Sequence, residues 1–242
     1  MAPDKKFELA IIIPVYNECA CIAEVVLSWL KMLDTLNIQF QMLVLNDGST
    51  DTTAQALASF GQDPRVQIVN KPNAGHGPTI LMGYRSMLPS ADWLFQCDSD
   101  GEIQPDEFPR LWNQRDQYDA LFGYRENRIQ SRGRALISAV SRAAVKVLCG
   151  SGVRDVNTPY RLMRAELLEK FLEQIPGDTF APNIIIAGEI SRRNQRILNT
   201  PVSYQPRRTG QVSIVRWKLW KAAAKSLMQT VSYFIKHRAV AA

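Results

Sequence analysis

Histidine and cysteine are scarce in this chain. Its 242 residues hold two histidines, His76 and His237, and four cysteines, Cys19, Cys21, Cys97 and Cys149, with no CxxC pair among them. That excludes a zinc finger or ribbon and a disulfide framework, and leaves the thiols to be read as buried and free. Long apolar runs are missing as well. Leu9 to Tyr16, the longest near the start, falls far short of the roughly 20 residues that a membrane-spanning helix needs. The opening MAPDKKFELA has neither the apolar core nor the small-residue cleavage site of a signal peptide, so the chain reads as cytoplasmic. No GxxxxGK(S/T) phosphate loop occurs, and GHGPTI places Ile80 where the dinucleotide fingerprint needs its third glycine. P-loop and dehydrogenase chemistry are set aside on those grounds.

What is present is a globular composition, 46% hydrophobic and 21% charged, with a net charge of +6 that points to an anionic partner. Apolar, β-rich segments recur at Leu9 to Val15, Met42 to Leu45, Val66 to Val69, Trp93 to Phe95 and Ala120 to Phe122. Helical patterns fill the gaps: Ile22 to Leu33, Asp51 to Phe60, Thr79 to Met87 and Asp106 to Gln114. The alternation predicts an α/β fold, a mostly parallel sheet flanked by helices, because parallel neighbours need crossover connections. Ligands of such sheets collect where loops leave the carboxyl ends of the strands.

Each of those ends carries polar residues: PVYNE after the first strand, NDGSTD after the second, NKPNAGHG after the third and CDSDGE after the fourth. Taken singly, each is also what a capped βα turn looks like. In the fourth, Asp98 and Asp100 stand two apart at a strand end, with Gly101 after them and Glu102 as a third acid. Two such carboxylates can reach one hard divalent cation whose other positions are filled by water and substrate phosphate. A solvated acidic turn, or a cap for the helix near Pro105, is the plainer alternative.

IIIPVYNE, LNDGSTDTT, NAGHGPTILMGY and DSDGE, in that order, resemble family 2 glycosyltransferases of GT-A fold. DVNTPYRLM and PVSYQPRRTGQ are similar to later motifs of the branch that transfers sugars to dolichyl or polyprenyl phosphate. The resemblance covers roughly residues 8 to 215. It implies that Pro14, Tyr16, Glu18 and Asp47, with Lys71 and Gly75 in the third loop, hold a nucleotide-sugar donor of the GDP-mannose or UDP-glucose class. It also implies that Asp98 and Asp100 bind Mg²⁺ or Mn²⁺ on the diphosphate, Glu102 being a possible third ligand where the branch commonly has Gln. Asp155, Arg161, Arg134 and Arg208 fall on the acceptor side, and Arg207 matches an arginine that faces phosphate. The Ser-Lys that usually follows this motif's glycine is replaced by Val212 and Ser213.

An attack on the anomeric carbon expels a nucleoside diphosphate. A sugar hydroxyl needs a base for that attack, whereas a phosphate monoester, with a second pKa of about 6, is already nucleophilic. The family's carboxylate position falls near Ile185, with Asn183 two residues before it, and Glu189 and Asp178 are the remaining candidates. The missing base favours a phosphate acceptor.

From Ile214 onward Trp217, Trp220, Ala224, Leu227, Met228, Val231, Phe234 and Ile235 recur at helical spacing among Arg216, Lys218, Lys221 and Lys225. A second basic stripe, on Leu136, Ile137, Val140, Ala144, Val147 and Leu148, lies between Arg132 and Cys149. Both suit a membrane interface, and both also suit packing on the sheet. The expected organisation is a catalytic domain over 1–212, with a candidate interface helix inserted at 128–150, and a basic amphipathic helix over 213–242. Attachment to a membrane surface would be peripheral or through an anchoring partner. A nucleic acid is not an expected partner, since the charge lacks the aromatic strand motif of RNA-binding sheets. A transferase using a glycan or other hydroxyl acceptor, and an inert scaffold of the same fold, are the alternatives.

Overall fold

The computed structural model describes residues 6–125, 152–203 and 216–237, with single positions 143, 146, 148 and 150, and no side chain of 216–220. Arg134, Arg207, Arg208, Cys149, the tryptophan side chains at 217 and 220 and nearly all of the 128–150 segment therefore lie outside the described residues.

β1 (Phe7–Val15) is rich in β-branched residues and buried on both sides, which suits a central position. Its side chains alternate between two cores: Leu9, Ile11 and Ile13 point to one, and Ala10 and Ile12 to the other. The chain continues through α1 (Ile22–Asp34), β2 (Phe40–Asp47), α2 (Thr53–Ala58), β3 (Val66–Lys71), α3 (His76–Met87), β4 (Ala91–Gln96), α4 (Phe108–Trp112) and β5 (Ala120–Arg125). The later elements are β6 (Arg161–Arg164), α5 (Ala165–Glu169), α6 (Pro182–Arg192), β7 (Ile197–Val202) and α7 (Arg216–Lys236).

Among the described residues seven strands form one sheet in the order β3-β2-β1-β4-β6-β5-β7, in which β6 alone runs against the others. Helices cover both faces. On one, Val26 and Trp29 of α1 and Phe108 of α4 pack with Phe95, whose ring centroid lies 5.2 Å from that of Trp29 and 4.7 Å from that of Phe108. Burying each such side chain is worth about 1.5–3 kcal/mol. On the other, Ile80, Tyr84 and Met87 of α3 share a core with Leu167 and Leu168 of α5 and with Tyr233 and Phe234 of α7.

The five expected strands are all present, and the expected mostly parallel sheet is found with β6 and β7 added to it. The helix expected from Asp106 to Gln114 is divided into a 3-10 turn, Pro105–Glu107, and α4. Pro109 has no N–H to return to the Pro105 carbonyl, so the helix restarts with Pro109 in its first turn. Of the thiols read as buried, Cys97 is buried but Cys19 is exposed. The apolar stripe expected on α7 divides between two environments, with Phe234 in the core and Met228 and Ile235 in solvent. No described helix is long and apolar enough to cross a membrane.

Gly83 sets how closely α3 lies on the sheet. A Cβ there would stand 2.5 Å from Ile12 Cγ2 and 2.9 Å from Leu45 Cδ1, both in fully buried side chains. Gly83→Ala should therefore destabilise the fold by about 1–3 kcal/mol in urea unfolding, despite alanine's better helix propensity. Unchanged or increased stability would show that α3 has slack against β1 and β2.

Candidate active site

The loops after β1, β2, β3 and β4 meet at one edge of the sheet. Asn17, in the left-handed region at φ 55°, turns the chain after Tyr16. Its N–H donates to Ser49 Oγ at 3.0 Å, and its Oδ1 accepts the Thr50 N–H at 2.8 Å. The Glu18 N–H donates to Thr53 Oγ1 at 2.9 Å, so the first loop is laced to the second. Gly48, at φ 66°, lets the second loop meet the third, because a Cβ there would lie 2.6 Å from the Asn73 nitrogen.

Asp47 ties the second and third loops together. It is nearly buried at the end of β2 and accepts from Lys71 Nζ, from the Ala74 N–H at 2.8 Å and from the Gly75 N–H at 2.9 Å. Burial alone would raise its pKa, but bonds from Lys71, Ala74 and Thr79 outweigh burial and hold it below the usual carboxylate range. Lys71 Nζ also reaches the Pro72 carbonyl at 2.9 Å and Thr79 Oγ1 at 3.1 Å. Of the other residues expected to hold a donor, Pro14 is buried within β1, Tyr16 is exposed at its end, and Glu18 is nearly buried with the Cys21 thiol 3.4 Å from Oε2.

Asp98 and Asp100 stand just beyond β4, both half-buried, and share a pocket lined by Glu102, Ile103, Arg125 and Tyr160. Asp100 Oδ1 accepts the Glu102 N–H at 3.1 Å, and Gly101, at φ 68°, makes the bend. His76 Nε2 lies 3.7 Å from Asp98 Oδ1. Below them, burial and then the two aspartates push the Cys97 thiol well up. Among the described residues no three His, Cys, Asp or Glu side chains converge as a cation site, so Glu102 does not join the pair as a third ligand in this arrangement. Two hard oxygen donors opening on a pocket still fit a Mg²⁺ or Mn²⁺ ion completed by water and phosphate.

Arg125 faces the same pocket, and nothing in its sequence context marked it. Only 8% of its side chain is exposed, and Asp155 Oδ2 accepts from its Nε at 3.3 Å and its Nη2 at 3.0 Å. Asp155 thus lies beside the pocket through Arg125. Arg161, expected beside it to meet an acceptor, is instead wholly buried. Its guanidinium donates to the carbonyls of Val156 at 3.2 Å, Thr158 at 2.6 and 2.9 Å, and Asn183 at 3.0 Å. From there it holds the turn before β6 and the start of α6. Glu189, a candidate base, is buried and bonded to Arg192 at 2.7 and 2.9 Å and to Arg193 at 3.1 Å; Ile185 is buried, and Asp178 is exposed.

Because the Asp47 pKa is depressed, its contribution to stability is fully present above the unfolded value and lost as pH falls through the folded one. Asp47→Asn should cost about 1–3 kcal/mol at pH 7, since an amide NH₂ would then face the N–H donors. The gap to the unsubstituted protein should narrow below about pH 4. A pH-independent gap in chemical unfolding would mean that the carboxylate charge contributes nothing.

The Glycosyl transferase family 2 profile matches residues 10–172. The chain is 27% identical over 208 residues to the undecaprenyl-phosphate 4-deoxy-4-formamido-L-arabinose transferase of Edwardsiella ictaluri, with 84% of this chain and 62% of the relative aligned. The enzyme of the same description from Salmonella choleraesuis is also 27% identical, over 213 residues covering 86% of this chain. The chain therefore spans 62% of the length of these relatives. Among solved structures, Mycobacterium tuberculosis glucosyl-3-phosphoglycerate synthase with Mn²⁺, UDP and phosphoglyceric acid has a TM-score of 0.70 at 20% identity, covering 94% of this chain and 78% of that one. Its complex with Mg²⁺ and UDP also gives 0.70. Those structures establish the likeness to GT-A glycosyltransferases, and the profile match, which spans well over half of the sequence, establishes that the chain belongs to glycosyltransferase family 2.

Proposed function

We propose that the protein is an inverting, metal-dependent glycosyltransferase that moves one sugar from a nucleotide sugar to a polyprenyl phosphate at the cytoplasmic face of a membrane. The observation that carries this reading is the pocket in which Asp98 and Asp100 sit with Arg125. An acidic pair suits a cation on a donor diphosphate, and a nearly buried arginine suits a second anion, the attacking phosphate. The names of the curated relatives support that acceptor class.

The donor lies over the loops after β1, β2 and β3, with Tyr16 offering an exposed ring and the Asp47 to Gly75 bonds fixing the floor. A bound Mg²⁺ or Mn²⁺ supplies Lewis-acid stabilisation of the departing diphosphate. Arg125, oriented by Asp155, holds the lipid phosphate in line with the anomeric carbon. That phosphate needs no proton removed, which accords with Glu189 being committed to two arginines. Arg207 and Arg208 add positive charge for phosphate in this reading. Lys221, Lys225, Met228, Ile235 and Lys236 are exposed on α7, a basic and apolar surface suited to peripheral attachment at an anionic bilayer.

Purified protein with Mn²⁺ and a panel of radiolabelled nucleotide sugars should move label into organic solvent only when polyprenyl phosphate is added, and EDTA should abolish the transfer. Asp98→Ala should reduce transfer to background while circular dichroism stays unchanged. Donor binding without lipid labelling would replace the phosphate acceptor by a hydroxyl one, and an active Asp98→Ala variant would remove the metal assignment.

A further inference from the structure

β4 reads ADWLFQ, and its last residue, Gln96, is a fully buried amide at the end of a largely apolar strand. A buried amide is costly unless its polar atoms are bonded, and a leucine or methionine would fill the same space without that cost. Its partners come from two helices. Gln96 Oε1 accepts from Tyr84 Oη on α3 at 3.2 Å and from Asn183 Nδ2 on α6 at 2.9 Å. Asn183 is held in turn by Arg161 Nη1, which donates to its main-chain carbonyl at 3.0 Å.

The other end of the amide, Nε2, faces Asp98 Oδ1 at 3.5 Å. From the solvent side His76 Nε2 approaches that same oxygen at 3.7 Å. Gln96 thus meets Asp98 from the interior, and His76 meets it from the solvent side. The Asp98 oxygen also fixes the sense of the amide, because the flipped form would set Gln96 Oε1 against it, oxygen to oxygen.

We propose that Gln96 is a positioning residue for the cation: it holds Asp98 Oδ1 from the interior and so fixes how the carboxylate is turned toward the pocket it shares with Asp100. A carboxylate of fixed orientation suits the octahedral shell of Mg²⁺ or Mn²⁺, which keeps positions for water and diphosphate. The anchoring of Gln96 by Tyr84 and Asn183 is the outer-shell support that fixes a ligand's orientation before the metal arrives. This inference rests on the metal reading above, and the test separates the two.

Free Mn²⁺ would be counted by electron paramagnetic resonance over the full chain, with Mn²⁺ alone and then with uridine or guanosine diphosphate. Gln96→Met, close in volume, should bind Mn²⁺ about tenfold more weakly, while nucleotide affinity in EDTA is unchanged. Tyr84→Phe removes one anchor of Gln96 without touching Asp98 and should give a smaller loss in the same direction. Mn²⁺ affinity within twofold of the unsubstituted protein in a folded Gln96→Met, or a matching fall in metal-free nucleotide affinity, would overturn the proposal. If Gln96→Met fails to fold, Tyr84→Phe decides, and unchanged Mn²⁺ affinity there overturns it. If the unsubstituted protein binds no Mn²⁺ under any of these conditions, the metal reading itself fails.

Discussion

A single buried carboxylate sets the geometry on which the rest of the site depends. Asp47 ends the second strand of a sheet covered on both faces, and its charge is tolerated there only because Lys71 and the Ala74 and Gly75 N–H groups converge on it. Those bonds hold Gly75 at φ 92°, a conformation that suits glycine, and so fix where α3 begins. His76, the first residue of α3, then stands beside Asp98. Gly77 follows, and its lack of a side chain lets the Thr179 and Phe180 carbonyls come within 2.3 Å of where a Cβ would be. Through that contact the segment leading into α6 is set against the donor loops. The Phe180 N–H in turn donates to Gln229 Oε1 on α7 at 2.8 Å, which carries the register to the C-terminal helix.

A second buried charge organises the other half of the sheet. Among the described residues Arg161 is bonded only to main-chain carbonyls, and burial pulls its pKa down to about 10, which still leaves it charged at neutral pH. Its bonds join the turn that carries Asp155 to the first residues of α6. Asp155 then orients Arg125 into the pocket. Arg161 therefore braces the pocket from two directions, through Asp155 on Arg125 and through Asn183 and Gln96 beneath Asp98.

The strands and their order of appearance were legible because continuous apolar runs alternate with helical periods over the first 125 residues. β6 and β7 were not. β6 has four residues and begins with an arginine inside the core, so it has no apolar signature, and β7 carries Asn199, Thr200 and Pro201. A proline is tolerated there because β7 is the edge strand of the sheet. The acidic pair could be read from its spacing at a strand end, since both carboxylates come from one loop. Arg125 and Gln96 could not, because what gives each its role is a partner far away in sequence: Asp155 lies 30 residues from Arg125, and Asn183 lies 87 from Gln96. Arg161 misled for the opposite reason. Its motif set it on the acceptor side, while packing buries it wholly among main-chain carbonyls.

The central claim is that Asp98 and Asp100 hold a cation that a donor diphosphate completes. Anomalous diffraction at the manganese edge, from crystals grown with Mn²⁺ and a nucleoside diphosphate, tests it most directly. The account predicts one strong peak bonded to carboxylate oxygens of both aspartates and to the diphosphate, with the base over the loop that follows β1. A diphosphate bound in that place with no manganese at the aspartates, or manganese held elsewhere on the chain, would contradict it.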